Sequence, residues 1–162
     1  MTSAYDVASY FLAKDTDHTM FPGYVLPGNG REVDEGNARL NSYLHISQNL
    51  YIAKTGRKLF EEDLYASDNG AVIPSIQQNY ALLQGKSEEF ELDEEKAAFL
   101  DRICHALKNA GIDELLEASR EDPAWIETTN NGCFVKMDSL AHSEEYSKQY
   151  SDMLKIIDSF PL

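Results

Sequence analysis

Four histidines, two cysteines and 28 acidic residues are the side chains of this 162-residue chain that could do acid–base, nucleophilic or metal chemistry. His18, His45, His105 and His142 show no HExxH or HxxxH spacing, so no single helix face would carry two zinc ligands. Cys104 and Cys133 lack CxxC spacing, which argues against both a zinc site and a disulfide framework and fits a reducing cytosol. Cys104 and His105 are neighbours in a strongly helical stretch, where adjacent side chains point about 100° apart and cannot converge on one atom unaided. A nucleophilic Cys104, or His45 with nearby carboxylates, would need a site assembled from scattered residues, and a structural cysteine is the simpler reading. Gly28-Asn29-Gly30 begins like a dinucleotide fingerprint, but Val33 stands where the third glycine belongs. GxxxxGK[ST] and GxSxG are both absent, and no carboxylate pair stands out from the rest. The sequence therefore predicts no enzyme, no metal and no cofactor.

Positioning of whatever remains falls to helices. Ser3 and Asp6 form a capping-box variant ahead of a stripe of Ala4, Val7, Ala8, Phe11 and Leu12. Asp15 to Gly36 holds Pro22, Gly23, Pro27, Gly28 and Gly30, and reads as a long loop or irregular hairpin around Tyr24–Leu26, with a length that suggests binding or mobility. Periodicity predicts a helix from about Asn37 to Lys54, stopped by Gly56 and interrupted on its apolar stripe by Ser47. Leu59 to Tyr65 suits a turn or small strands, Asn69-Gly70 a turn, and Pro74 the start of a helix carrying Ile76, Tyr80 and Leu83.

Six of the eight residues from Glu88 to Glu95 are acidic. Asp93 can cap the following helix, Glu94 and Glu95 complement its dipole, and Phe99, Leu100, Ile103 and Leu107 form its buried stripe before Gly111. A shorter helix ends near Ser119, Pro123 blocks simple continuation, and Trp125 is a large core anchor. Ile126–Thr129 and Cys133–Met137 around Asn131-Gly132 read as a hairpin. A last helix after Ser143 carries Tyr146, Tyr150, Met153, Leu154 and Ile157 and is closed by Pro161. The expected fold is mainly α: one compact domain over residues 1–162, about six helices, a glycine-rich loop and one small hairpin.

Fourteen basic against 28 acidic residues give a net charge of −14, which repels phosphate backbones and disfavours direct nucleic-acid binding. No apolar run approaches the roughly 18 residues that span a bilayer, and the N-terminus lacks a basic n-region, so a cytoplasmic protein without a membrane partner is expected. The acidic run is first of all a solvated face, and second a surface that could steer a basic partner.

Asp6–Leu12, Leu44–Tyr51, Thr55-Gly56-Arg57-Lys58-Leu59-Phe60-Glu61-Glu62-Asp63, Asn69-Gly70-Ala71-Val72-Ile73-Pro74-Ser75-Ile76 and Asp122-Pro123-Ala124-Trp125 resemble, in order and spacing, the Panacea domain of SocA-like and GepA-like phage-associated proteins. Where that family's pattern has Gly-Pro, this chain has Gly70-Ala71, which restores a backbone N–H. The resemblance covers most of residues 4 to 126 and implies a non-catalytic antitoxin that neutralises its cognate toxin by direct binding, or, as in one branch, an adaptor that delivers the partner to a protease. Candidate partner-binding residues are Tyr24, Asp68, Asn69, Gly70, Glu88, Glu89 and Glu91.

Overall fold

The computed structural model describes residues 2–17, 19–22, 35–68, 70–85, 90–130, 132 and 134–159. It is mainly α, as expected, with nine α-helices and one three-stranded sheet among the described residues. No helix among them is long and apolar enough to cross a membrane.

The centre of the fold is α2 (Glu35–Thr55), around which the other elements are wrapped. Every residue from Arg39 to Ile52 is buried, so α2 has no solvent face over that stretch and its polar residues Asn41, Ser42, His45, Ser47, Gln48 and Asn49 all lie inside. Such burial is tolerated when the polar groups find partners, and most of these do. Gly56 ends α2 at φ +74°, a conformation that glycine adopts without strain.

α1 (Ala4–Lys14) carries the full capping box between Ser3 and Asp6, and lays Val7, Ala8, Phe11 and Leu12 into the core. Phe11, Phe21 and Tyr43 stack edge to face at its centre, with Phe11–Tyr43 centroids 5.4 Å and Phe21–Tyr43 centroids 4.9 Å apart. β1 (Tyr65–Ser67) and β2 (Gly70–Val72) form an antiparallel pair, and β3 (Val135–Lys136) adds to the other side of β1, giving the order β2-β1-β3. The predicted helix after Pro74 divides at Asn79 into α3 (Pro74–Gln78) and α4 (Tyr80–Gly85); the Asn79 N–H and Nδ2 both donate to the Ser75 carbonyl, at 3.2 and 2.7 Å.

α5 (Glu94–Leu107) is capped by Asp93, whose side chain accepts from Lys96 N–H at 2.8 Å; Phe99, Leu100, Ile103 and Leu107 are its buried stripe. α6 (Ile112–Arg120) follows. The expected strand over 126–129 is instead part of α7 (Pro123–Thr129), started by Asp122 as cap and Pro123 at the first helical position. The partner of Val135–Lys136 is therefore β1, not a neighbouring hairpin arm. Phe134 precedes β3 at φ +58° and donates its N–H to Ala66 O at 2.7 Å. The predicted C-terminal helix bends at Tyr150 into α8 (Ser143–Gln149), which packs on α2, and α9 (Ser151–Ser159), which packs on α5.

Candidate functional site

His45 and Asn49, one turn apart on α2, face the junction of α6 and α7 and build, among the described residues, the most concentrated polar cluster around Asp122. Asp122 is 0% exposed and His45 and Ser119 are each 1% exposed. Asp122 Oδ1 accepts from Tyr146 OH at 2.6 Å and from Ala124 N–H at 2.8 Å, while Oδ2 accepts from Asn49 Nδ2 at 2.9 Å and lies 2.5 Å from His45 Nε2. The other imidazole nitrogen, Nδ1, stands 3.0 Å from Ser119 Oγ. Asn49 Nδ2 also reaches Tyr150 OH at 3.1 Å.

The electrostatics follow from these contacts. Burial alone would raise the Asp122 carboxyl, but the hydrogen bond and charge of His45, with hydrogen bonds from Tyr146 and Asn49, hold it below the ordinary carboxylate range. Burial and then the adjacent Asp122 charge push the Tyr146 hydroxyl far up, so it stays a donor. An ionised Asp122 makes His45 Nε2 the donor of their contact, and the Ser119 hydroxyl faces the other ring nitrogen.

Serine, histidine and aspartate in hydrogen-bonded series is the constellation of acyl-transfer enzymes. Access is what differs. A Cβ on Gly70 would lie 3.1 Å from Ser119 Cβ, so Gly70 closes over the serine and no acyl group fits against its Oγ in this arrangement. Asp122 has a second occupation as the cap of α7 through Ala124 N–H, and its other three contacts are to groups on α2 and α8. The cluster ties α2, α6, α7 and α8 together.

Cys104 stands apart from this cluster. Burial, and then the Asp101 charge, push its thiol up to about 12, opposite to the depressed value of a nucleophilic cysteine. His45, in contrast, does meet a carboxylate. Among the described residues no group of three His, Cys, Asp or Glu side chains converges as a metal would require.

The candidate partner-binding residues are divided between two places. Asp68 is exposed on the β1–β2 turn, and Gly70, buried, lines a cleft beside it. Glu91 is exposed on the approach to α5, and its backbone N–H donates to Asp6 Oδ1 at 3.1 Å. Tyr24, Asn69, Glu88 and Glu89 lie outside the described residues, as do His18 and Cys133. Trp125 is half-buried and donates its indole N–H to Ser67 O at 3.0 Å, fixing α7 to the sheet.

The segments that carry the sequence resemblance are bound to α2 by three carboxamides. Asn41 Oδ1 accepts from Ile73 N–H at 2.9 Å, Gln48 Oε1 accepts from Leu59 N–H at 2.6 Å while its Nε2 donates to Phe60 O at 3.1 Å, and Asn49 reaches Asp122. Sequence reading missed Asn41, Asn49, Ser119 and Asp122. The available signals were a run of polar residues inside a helix flanked by strong apolar positions, and Asp122 directly before a proline. The chain matches no family model, no curated protein and no solved structure.

Proposed function

We propose that this chain is a cytoplasmic, non-catalytic protein-binding domain of the antitoxin type, which neutralises a cognate toxin by direct contact. One observation carries the reading: the Panacea-like segments 55–63, 69–76 and 122–125 are separate in sequence, yet Asn41, Gln48 and Asn49 hold them on a single helix as one unit. A second consideration agrees with it. The Ser119–His45–Asp122 series, which on contacts alone would argue for hydrolysis, is closed to solvent and committed to joining helices.

The net charge of −14 suits a basic partner, whose approach it would accelerate at low salt. The test is recovery of partners on the tagged protein from its own host, read by mass spectrometry. The expected result is one small stoichiometric protein whose expression alone stops growth and whose effect is cancelled by co-expressing this chain. Recovery of no specific partner, or of one that is harmless when expressed alone, overturns the reading.

A further inference from the structure

Hydrogen-bond accounting along the sheet isolates one residue. Leu64 and Ala66 turn their carbonyls toward β3, where Met137 N–H donates at 2.8 Å and Phe134 N–H at 2.7 Å. In antiparallel pairing, residues alternate between those that bond one neighbouring strand and those that bond the other. Tyr65 and Ser67 are therefore the residues of β1 that bond β2, through their partners Val72 and Gly70. Ala71, opposite Ala66, is left with its N–H and C=O aimed away from the sheet. Ile73 has the same phase, and its N–H is indeed taken from outside the sheet, by Asn41 Oδ1.

Among the described residues nothing pairs with the two outward groups of Ala71. Yet Ala71 is 4% exposed, and buried backbone groups are almost always partnered. Ser42, 2% exposed, lies against the same space. Both line a cleft of about 380 Å³ between β2 and the first turns of α2. Its walls are fixed, since Asn41 Nδ2 donates to Asn37 Oδ1 at 2.9 Å and Asn37 Nδ2 to Gln77 O at 2.9 Å.

Among the described residues the lining holds no ionisable side chain, in a protein of net charge −14. Phosphates, carboxylates and metal ions would need a charged partner here and find none among the described residues. A donor and an acceptor on one strand residue, flanked by a hydroxyl and carboxamides, are the complement of a peptide main chain. We propose that this cleft binds an extended, uncharged segment of a partner polypeptide, with Ala71 N–H and C=O and the Ser42 hydroxyl hydrogen-bonded to its backbone. The proposal rests on the protein-binding reading above and gives it a place and a ligand chemistry. It also assigns a purpose to Ala71, since the resembling family pattern has proline at that position and would lack the donor.

The experiment is a random-peptide display selection on the whole protein, followed by anisotropy titration of the selected peptides against wild type, Ala71→Pro and Ala38→Trp. Ala71→Pro deletes only an outward N–H on an edge strand, the placement proline tolerates, and Ala38→Trp fills the cleft from α2. The expected outcome is uncharged peptides that lose about tenfold in affinity on Ala71→Pro, as the loss of one desolvated hydrogen bond implies, and more on Ala38→Trp. N-methylating the peptide nitrogen that faces Ala71 C=O should cost a similar factor against unaltered protein, which guards against a misfolded variant. Failure to enrich any peptide, or equal affinity for all three proteins, overturns the cleft. A toxin captured from the host that binds Ala71→Pro and Ala38→Trp as tightly as wild type would remove this cleft and leave the antitoxin reading standing.

Discussion

The Asp122 cluster and the Ala71 cleft both border Gly70, and both are polar regions inside an otherwise apolar fold. Around Asp122, both carboxylate oxygens, both imidazole nitrogens of His45 and two tyrosine hydroxyls are engaged. In the cleft, a backbone donor and a backbone acceptor have no partner among the described residues. Asn49 Oδ1 is left without a partner among the described residues, so the Asp122 network is nearly complete and confers rigidity, while open networks confer affinity for whatever completes them. Chemically familiar residues mark the first region, and the second is marked by groups that every residue has. The proposed binding role falls to the less conspicuous of the two.

The largest test of that contrast removes the hub. Asp122→Ala leaves His45, Asn49, Tyr146 and the Ala124 N–H without their shared acceptor, and should cost about 3–5 kcal/mol in urea unfolding, the loss typical of breaking a buried ionic network. A loss under about 1 kcal/mol would show that the cluster is not what joins α2 to α6, α7 and α8.

Acid unfolding sharpens the same point. The folded-state carboxyl of Asp122 lies below its ordinary value of 3.8, so its contribution is fully present above that pH and is lost as pH falls through the folded value. Asp122→Asn, whose amide does not titrate, should therefore destabilise the protein near neutrality but flatten the decline of stability below about pH 4. An unchanged acid limb, followed by denaturant titration at each pH, would place acid sensitivity in the surface carboxylates instead.

Most of the fold was legible because most of it is local. Ser3 with Asp6, Asp93 before Glu94, and Gly56 after Thr55 are helix punctuation, and the structure uses each as such. Asp122 was legible only as a neighbour of Pro123, since its partners Asn49 and His45 are 73 and 77 residues away and no spacing rule reaches that far. Ile126-Glu127-Thr128-Thr129 read as a strand because it flanks the turn signal Asn131-Gly132; a capping aspartate and a proline at the first helical position outweighed that signal. Ser47 looked like a break in an apolar stripe. A helix buried on all sides has no stripe to break, and its polar positions mark the neighbours it must hold. The Ala71 cleft has no sequence signal beyond an alanine where the resembling family has proline.

A smaller effect is expected from the open region itself. Ala71→Pro removes no ladder bond, so its unfolding free energy should stay within about 0.5 kcal/mol of wild type, in contrast to Asp122→Ala. A large destabilisation would mean that the outward N–H of Ala71 already has a strong partner within the folded chain, and would end the contrast drawn here.

The smallest effect tests whether surface polarity behaves like either region. His142 Nδ1 lies 2.5 Å from Glu145 Oε1 and Nε2 2.6 Å from Glu127 Oε2, joining α7 to α8 at the surface. Burial pulls its pKa down, but the hydrogen bonds and charges of the two glutamates outweigh this and hold it above 6.5. A raised folded value means that the contribution is complete below pH 6.5 and fades as pH rises through the folded value. Both carboxylates are more than half exposed, so water and salt screen the pair. His142→Gln should lower stability only slightly at pH 6 and not at all at pH 9, and 0.5 M salt should erase most of the difference. A salt-resistant loss as large as that of Asp122→Ala would show that engagement of both imidazole nitrogens, rather than burial of the carboxylate, sets the strength of such clusters.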